Sequence, residues 1–281
     1  MQRNNTAKKY SRVYVEITNV CNMSCSFCPG TKRPPAFMSM SEFGTVLDRL
    51  SGITEYLYFH LMGEPTLYPE LLEFIRLARG RGYHPMITTN GTMLSTLGEE
   101  IVAAGIYKVN ISLHSFEKND GQGQKSYLSG CVNFAKLAAS RGVIVTLRLW
   151  NGGTDADNGP VLEFLRESFS FPWEKNNRGE RLSDKIFLEY ADRFAWPDAD
   201  GEPLGRSVYC HGLSDHFGVL VDGTVIPCCL DREGVINLGN IYEDSIEKIL
   251  SSERAKAILS GFKKRCATEE LCRKCGYARR F

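Results

Sequence analysis

The sequence predicts an α/β fold: a partial, TIM-like (β/α)6 barrel followed by a small C-terminal domain built from a β-hairpin and helices. Up to residue 150, short apolar runs alternate with longer helical patterns, which is typical of repeated βα units around a parallel sheet. A connector rich in proline and glycine, residues 192–205, interrupts this alternation. We therefore expect one domain over residues 1–200 and a second over residues 201–281.

The individual elements follow from the periodicity of apolar residues along the chain. Short apolar runs predict strands at Val13–Ile17, Tyr56–Leu61, His84–Thr89, Lys108–His114, Val143–Leu149 and Lys185–Tyr190. Helical patterns predict helices at Ser41–Leu50, Pro69–Gly80, Thr96–Ala104, Gln124–Arg141 and Pro160–Ser168. Ser39 and Glu42 have the spacing of a capping box ahead of the first helix. Beyond the connector, a hairpin is expected to turn at Asp222-Gly223, and residues 243–262 predict one or two amphipathic helices.

The overall composition favours neither a nucleic acid nor a membrane as a partner. The chain has 281 residues, of which 43% are hydrophobic and 24% charged, and a formal net charge of +1 that gives no general attraction for polyanions. The N-terminal residues are polar and basic, and no apolar run approaches the roughly 18 residues of a membrane span. We expect a cytoplasmic protein. The basic, aromatic stretch Phe169–Leu182 could contact nucleic acid, but it also fits a solvated loop over the barrel.

The ten cysteines are grouped in a way that indicates metal or redox chemistry. A cytoplasmic compartment keeps thiols reduced, so disulfides are not expected. Cys131 stands alone in a helical pattern and is expected in the core. The other cysteines form an N-terminal and a C-terminal group: Cys21, Cys25 and Cys28, then Cys210, Cys228, Cys229, Cys266, Cys272 and Cys275.

The N-terminal group suits an iron-sulfur cluster that keeps one iron open. A cluster of four irons normally takes four thiolates, so Cys21, Cys25 and Cys28 would leave one iron free to coordinate another molecule. The alternative is a structural zinc site with a fourth ligand elsewhere. The loop follows the first predicted strand, and Gly63-Glu64-Pro65 follows the second, so both lie at the C-terminal mouth of the barrel, where such folds place active sites.

These motifs resemble the radical S-adenosylmethionine (SAM) enzymes, over most of the chain. The resemblance rests on C-x3-C-x2-C after the first strand, Phe27 before its last cysteine, and Gly-Glu-Pro after the second strand. It implies that Cys21, Cys25 and Cys28 hold a 4Fe-4S cluster whose open iron binds the amino and carboxylate groups of SAM. Reductive cleavage of SAM to methionine and a 5′-deoxyadenosyl radical is then implied, with an electron donor such as flavodoxin or ferredoxin.

The same resemblance assigns roles to residues at the barrel mouth. Phe27 would meet the adenine of SAM, and Gly63 and Glu64 would receive the methionine ammonium; Met62 stands where the family more often has glycine. Polar residues at the ends of strands three to five would bind the ribose and the methionine carboxylate. These residues are Thr89, Asn90, Ser112, His114 and Arg148.

The C-terminal group provides four thiolates for a second site. Cys210, Cys228, Cys272 and Cys275 would saturate a second 4Fe-4S cluster, and they would equally close a tetrahedral zinc site. The spacing C-x12-G-x4-C followed by C-x2-C is similar to the twitch domain, a short relative of the SPASM domain, which implies an auxiliary 4Fe-4S cluster. Cys229 and Cys266 are surplus. Either could replace one of the four, Cys229 could donate a hydrogen atom, and both could be small buried residues.

The substrate is the least determined part of the prediction, because a barrel fold does not name its substrate. Glu16 and Glu189 lie near the ends of the first and last strands, where a carboxylate could grip a cationic or guanine-like edge, or form a surface ion pair. His60 fits either a base or a hydrogen-bonded core residue. Further polar candidates near the mouth are Asn110, Asp192 and His211.

The chain also resembles compact bacterial twitch enzymes through "LHSFE", "TLRLWN", "LVDGTVIPCCLD" and "CGYARRF". This group includes a queuine lyase, which implies a small-molecule substrate and cleavage of a carbon-nitrogen bond to release a 7-deazaguanine amine. A radical dehydrogenase of an aminocyclitol or sugar, and a peptide-modifying maturase, are the alternatives.

Overall fold

The computed structural model describes residues 10–116, 121–152, 158–205 and 207–281. Over these residues one ten-stranded sheet runs in the order β10-β9-β1-β2-β3-β4-β5-β8-β7-β6. Its strands are β1 (Arg12–Val15), β2 (Tyr56–Tyr58), β3 (His84–Thr89), β4 (Lys108–Ser112), β5 (Ile144–Gly152), β6 (Glu174–Asn176), β7 (Gly179–Ser183), β8 (Ile186–Asp192), β9 (His216–Val219) and β10 (Val225–Ile226). The six strands β1 to β5 and β8 are parallel to one another, as in the predicted partial (β/α)6 barrel.

The helices lie between these strands and after the C-terminal hairpin. They are α1 (Met40–Arg49), α2 (Leu71–Gly80), α3 (Leu94–Ala103), α4 (Gly121–Ser140), α5 (Gly159–Ser168), α6 (Ile246–Leu250), α7 (Glu253–Lys263) and α8 (Glu270–Arg273). The predicted capping box of α1 is confirmed: Ser39 Oγ accepts from the amide of Glu42, and the Glu42 carboxylate accepts from the amide of Ser39 at 2.7 Å. Within the described ranges, no helix combines the length and hydropathy needed to cross a membrane.

Two connections differ from the sequence prediction. Residues 169–182, expected as a loop, contain the hairpin β6–β7, which pairs antiparallel with β8. Its strand residues are mostly exposed and charged, so they lack the apolar alternation that reveals a strand. The second difference is that β9 pairs in parallel with β1 and continues the barrel sheet, instead of starting a separate sheet. The division at residue 200 stays a prediction.

The barrel strands have one face under the helices and one face toward a hollow interior. Val13 and Val15 of β1 are fully buried, as is Leu147 of β5. Tyr14, between Val13 and Val15, and Arg148, next to Leu147, keep partial exposure because their side chains face the interior. Bulky aliphatic side chains usually fill the inside of such barrels. Here polar and aromatic side chains line it, which makes the interior a candidate binding site.

Candidate active site

The three N-terminal cysteines lie on the loop between β1 and α1, at the mouth of the barrel. A turn closes the loop, in which the amide of Cys28 donates to the carbonyl of Cys25 at 3.1 Å. Cys21 and Cys28 are exposed, and the sulfur of Cys25 lies 3.8 Å from the carbonyl of Ser115. Asn19 fixes the base of the loop, because its amide side chain bonds the backbone of Pro34 and Ala36, both at 2.8 Å.

The three thiols of this loop do not converge on a single position. Among the described residues, no three Cys, His, Asp or Glu side chains converge on one ion-sized position, as a tetrahedral zinc site requires. Cys28 is nevertheless close enough to Cys21 for its charge to raise the pKa of the Cys21 thiol. Burial raises the pKa of the Cys21 thiol, and Glu64 adds to this effect. A bound cation would therefore have to displace the proton, as thiolate ligation requires.

Glu64 and Asn90 meet directly behind this loop. One carboxylate oxygen of Glu64 accepts from the amide of Asn90 at 2.6 Å, and the other accepts from the hydroxyl of Thr66 at 2.7 Å. The amide of Glu64 donates to the carbonyl of Val20 at 2.8 Å, which joins the motif after β2 to the cysteine loop. Burial raises the pKa of Glu64, and its hydrogen bonds oppose that rise. The two predicted SAM-binding residues thus lie in one polar cluster.

Phe27 and His114 form a second part of the mouth. Their rings lie 4.7 Å apart, and the Nδ1 atom of His114 is 3.1 Å from the carbonyl oxygen of Arg148. Ser112 is the register partner of Arg148 on the neighbouring strand. Trp196, from the connector, donates to the carbonyl of Phe27 at 3.0 Å. Sequence reasoning did not assign Trp196, because its link to the cysteine loop spans 169 residues.

The side chain of Arg148 points into the barrel, where its guanidinium carbon lies 4.5 Å from the centre of the Trp150 ring. Its Nη1 atom lies 3.5 Å from the hydroxyl of Thr88, and its Nε atom lies 3.6 Å from a carboxylate oxygen of Glu189. At that distance the pair is an ion pair without a good hydrogen bond. The donor of Arg148 and the acceptor of Glu189 therefore remain available to a third group.

The two predicted catalytic carboxylates have very different surroundings. Glu16 has no exposed surface, and its oxygens accept from Arg33 at 2.6 Å and from the amides of Met62 and Val221 at 3.2 and 3.1 Å. Through these contacts Glu16 joins three segments: the cysteine loop, the residues after β2 and the residues after β9. The surroundings of Glu16 are therefore those of a structural residue. Glu189, by contrast, borders the interior cavity.

A cavity of about 470 Å³ occupies the barrel interior. Its lining consists of Lys108, Ile144, Thr146, Asn176, Asn177, Arg178, Phe187 and Glu189. Along the same inner face, the buried polar atoms without a hydrogen-bond partner among the described residues include Nδ1 of His60, Oδ1 of Asn110, Oγ1 of Thr146 and Nε of Arg148. Burial, together with the nearby charge of Arg148, lowers the pKa of His60 to about 3, so this ring is neutral. Unsatisfied buried polar atoms are costly, and here they share the inner face with a cavity large enough for a ligand, which Thr146 lines directly.

Sequence reasoning found part of this lining. Glu189 was a candidate, as were His60 and Asn110 elsewhere on the same inner face, whereas Lys108, Thr146 and Arg178 were missed. The spacing of Lys108, Asn110 and Ser112 along β4 places all three on one face, and this alternation is the signal that identifies the inner face. Asp192 and His211 are not among the residues that line the cavity, and His211 packs against Phe281 with ring centres 4.9 Å apart.

The four C-terminal cysteines predicted as ligands lie together. The thiol of Cys228 is close enough to those of Cys210 and Cys272 to raise its pKa, and Cys272 is affected by Cys210 and Cys275 in the same way. Burial raises the pKa of all four thiols, so gathering them as thiolates would be unfavourable without a bound cation. This four-thiol group fits an iron-sulfur cluster.

The two surplus cysteines have different surroundings. Cys266 is exposed, on a short bridge with Ser207. Cys229 is close enough to Cys228 and Cys210 to be coupled to their charges, and it packs with Tyr14 against a small apolar cluster of Leu61, Leu220 and Ile226. Cys131 is buried in the core, as predicted.

Comparison with known families agrees with this arrangement. Residues 15–164 match the radical SAM superfamily, and residues 210–276 match SPASM, an iron-sulfur cluster-binding domain. The chain belongs to the radical SAM superfamily. It is an enzyme whose cofactors are a 4Fe-4S cluster and SAM, with auxiliary cluster binding in the SPASM region.

Relatives of known name match only part of the chain. A probable GTP 3′,8-cyclase of Sulfurisphaera tokodaii is 39% identical over 117 residues, which is 37% of this chain and 34% of that protein. A tungsten-containing aldehyde ferredoxin oxidoreductase cofactor-modifying protein of Pyrococcus furiosus is 31% identical over 106 residues, 36% of this chain and 30% of that protein. The chain thus spans about a third of the length of the curated relatives it matches.

Solved structures share the fold over almost the whole chain. BtrN in complex with AdoMet and 2-DOIA has a TM-score of 0.59 at 20% identity, covering 96% of this chain and 94% of that one. Streptococcus suis SuiB bound to its precursor peptide SuiA has a TM-score of 0.64 at 13% identity, covering 98% and 71%. At these identities the likeness establishes the fold alone.

Proposed function

We propose that this enzyme abstracts a hydrogen atom from a small polar molecule held inside the barrel. We further propose that this molecule is the 7-deazaguanine base queuine, whose side-chain carbon-nitrogen bond is cleaved to release an amine. The observation that carries the proposal is the interior cavity of about 470 Å³, together with the unpartnered polar atoms on the same inner face of the barrel. Its volume is that of a small-molecule site.

The polar groups of the cavity complement a guanine-type base. Such a base presents N–H donors next to a carbonyl acceptor along one edge. Glu189 offers an acceptor and Arg148 a donor side by side, separated by 3.6 Å. The unpartnered oxygens of Asn110 and Thr146 provide further partners for the amine and hydroxyl groups of the queuine side chain.

The residues at the barrel mouth place SAM above this cavity in the proposal. Cys21, Cys25 and Cys28 would hold the cluster, and when bound the cluster and SAM supply a 5′-deoxyadenosyl radical able to take hydrogen from carbon. The ring of Phe27, fixed by the Trp196 hydrogen bond to its carbonyl, gives the adenine an ordered aromatic surface. The barrel wall holds the substrate and keeps water away from reactive species.

A purine nucleotide is the second candidate substrate. Lys108, Arg148 and Arg178 provide three cations around the interior against one carboxylate, Glu189, which favours an anionic group. The relatives named as probable GTP 3′,8-cyclases agree with this candidate. Queuine and GTP are therefore tested side by side.

The test uses anaerobically reconstituted, reduced protein with SAM and either queuine or GTP. Mass spectrometry measures 5′-deoxyadenosine and the released deazaguanine amine. We expect queuine to stimulate 5′-deoxyadenosine formation and to yield the amine. Stimulation by GTP alone would replace queuine with the second candidate. Stimulation by neither would reject both, and would turn the search to aminocyclitols and peptides.

Glu189→Gln tests the binding role of the cavity. A hydrogen bond to a charged group contributes about 1.5–3 kcal/mol, so KM for queuine should rise by roughly 10- to 100-fold. Glu174→Gln is the matched control, since Glu174 is an exposed carboxylate on β6. Equal KM values for the two variants would contradict the proposed orientation of the base.

A further inference from the structure

The residues that follow the cysteine loop are held by a segment of the C-terminal region. Both carboxylate oxygens of Glu233 accept from the amide of Lys32, at 3.1 and 3.2 Å, and one of them also accepts from the hydroxyl of Thr31 at 3.2 Å. The Nε atom of Arg33 donates to the carbonyl of Arg232 at 2.8 Å. These five residues are referred to below as the clasp.

Arg33 anchors the clasp to the barrel. Its Nη2 atom donates to the fully buried Glu16 at 2.6 Å, and the Arg33 side chain is only 14% exposed, so water competes little for these bonds. On the other side, Arg232 donates to the carbonyl of Pro197 at 3.1 Å. The next residue toward the N-terminus is Trp196, whose ring nitrogen bonds a carbonyl inside the cysteine loop. The cysteine loop is therefore held at two points.

A tight turn joins the clasp to the four-thiol group. The amide of Asp231 donates to the carbonyl of Cys228 at 3.3 Å. The buried carboxylate of Asp231 accepts from the amides of Val235 and Ile236 at 2.9 and 2.8 Å. Glu233 lies inside this turn, so its position follows that of Cys228.

The cysteine loop depends on such contacts because it has little regular structure of its own. Residues 19–36 form no helix or strand. A cluster that binds SAM needs the three thiols of the loop at fixed positions relative to Glu64, and a misplacement of about 1 Å is enough to weaken such a site. Contacts that restrict the loop beforehand also lower the entropy cost of ordering it when SAM binds.

We propose that Glu233 and Arg33 are positioning residues for SAM, and that the clasp couples the four-thiol group to the SAM site. Ligation at Cys228 orders the turn that carries Glu233, and Glu233 in turn fixes the backbone that follows the cysteine loop. Coupling of this kind is reciprocal, so each site favours occupancy of the other by the same factor. The inference concerns SAM binding and is independent of which substrate the enzyme uses.

Glu233→Ala and Glu233→Gln test the positioning role in reconstituted protein whose clusters are oxidised, so that SAM binds without being cleaved. Equilibrium dialysis measures the Kd for SAM. We expect Glu233→Ala to raise this Kd by about tenfold, which is the effect of about one hydrogen bond. Glu233→Gln should raise it less, because the amide oxygen of glutamine still accepts from Lys32. Hydrogen exchange at the Lys32 amide should be faster in Glu233→Ala and close to wild type in Glu233→Gln.

A double-mutant cycle tests the coupling. Cys272→Ala, which removes a ligand of the four-thiol group, should also raise the Kd for SAM by about tenfold. The variant that combines Cys272→Ala with Glu233→Ala should bind SAM about as well as either single variant, because both changes break the same link. Glu243→Ala, at an exposed carboxylate outside the clasp, is the control and should keep the wild-type Kd.

Each of the following results would overturn the inference. A wild-type Kd in Cys272→Ala would show that the two sites are uncoupled. A rise of about a hundredfold in the combined variant would show that the two changes act independently. Equal Kd values for Glu233→Ala and Glu233→Gln would exclude the acceptor role of Glu233. Loss of about four irons in Glu233→Ala would mean that this residue supports a cluster itself, and not the placement of SAM.

Discussion

At the scale of single residues, Glu16 and Glu189 show how surroundings determine the role of a carboxylate. Both lie near strand ends, and the sequence predicts the same role for both. Three hydrogen-bond donors occupy Glu16, and one of them, Val221, is 205 residues away. Glu189 has only a 3.6 Å ion pair with Arg148 and borders the cavity. Contact with a substrate is therefore proposed for Glu189, while the catalytic role of Glu16 stays an untested prediction.

His60 makes the stability of the protein depend on pH. Burial holds the pKa of His60 at about 3, below its ordinary value of about 6.5. Below pH 6.5 the unfolded chain therefore binds a proton that the folded chain does not, and stability falls as the pH drops. The contribution is at most about 1.4 kcal/mol per pH unit. The slope should be shallower in His60→Gln, measured by Tm between pH 7 and pH 5.

The control for this prediction is His84→Gln, at a partly buried histidine beside Arg79 at the start of β3. Both variants remove one imidazole, so a general loss of stability affects them alike. If the Tm of His60→Gln fell with pH as steeply as that of the wild type, His60 would not be the group responsible.

At the scale of elements, the turn after β2 shows why a glycine stands in the Gly-Glu-Pro motif. Gly63 has φ of +78°, and a Cβ atom there would lie 2.5 Å from the carbonyl oxygen of Thr18 and 2.9 Å from Cα of Asn19. Both neighbours are backbone atoms at the base of the cysteine loop, and they cannot move independently of it. The absence of a side chain therefore lets the two loops meet, and Glu64 bonds Val20.

Gly63→Ala should disturb the cysteine loop and with it the first cluster. We expect reconstituted Gly63→Ala to hold about four irons per chain instead of about eight. It should also lose 5′-deoxyadenosine formation. Gly80→Ala is the matched control, because a Cβ at the end of α2 meets no atom within 4 Å. Full iron content in Gly63→Ala would show that the cysteine loop tolerates the backbone displacement that a Cβ atom at position 63 imposes on Thr18 and Asn19.

At the scale of the whole molecule, the C-terminal region is built onto the barrel. The strand β9 pairs with β1 over four residues, and Glu16 bonds the segment that follows β9. The four-thiol group is therefore held against the same sheet that carries the cysteine loop. This arrangement places both predicted clusters on one framework.

The four-thiol group can be tested independently of the reaction. Cys272→Ala should lower the iron content from about eight to about four per chain, because one cluster loses a ligand while the cysteine loop is intact. Cys266→Ala should keep the full content, since Cys266 is exposed and separate from the group. Iron and sulfide analysis of the reconstituted proteins measures both. Equal iron in the two variants would remove Cys272 from the ligand set.

The features readable from sequence are those set by local spacing. Apolar periodicity predicted the six parallel strands β1 to β5 and β8, though not the parallel pairing of β9 with β1, and the capping box at Ser39 predicted the start of the first helix. The cysteine loop and the Gly-Glu-Pro motif were identified together, since each follows a strand of a parallel barrel and so lies at one mouth. The hairpin β6–β7 was missed because its exposed, charged strands carry no apolar alternation.

The sequence by itself determined the barrel, the cysteine motifs and the radical SAM class, because each depends on residues a few positions apart. Only the tertiary structure decided that Glu16 is fully bonded while Glu189 faces a cavity. It also decided that Cys229 and Tyr14 pack against one apolar cluster, and that β9 extends the sheet at β1. These outcomes depend on contacts between residues about two hundred positions apart, which no local pattern encodes.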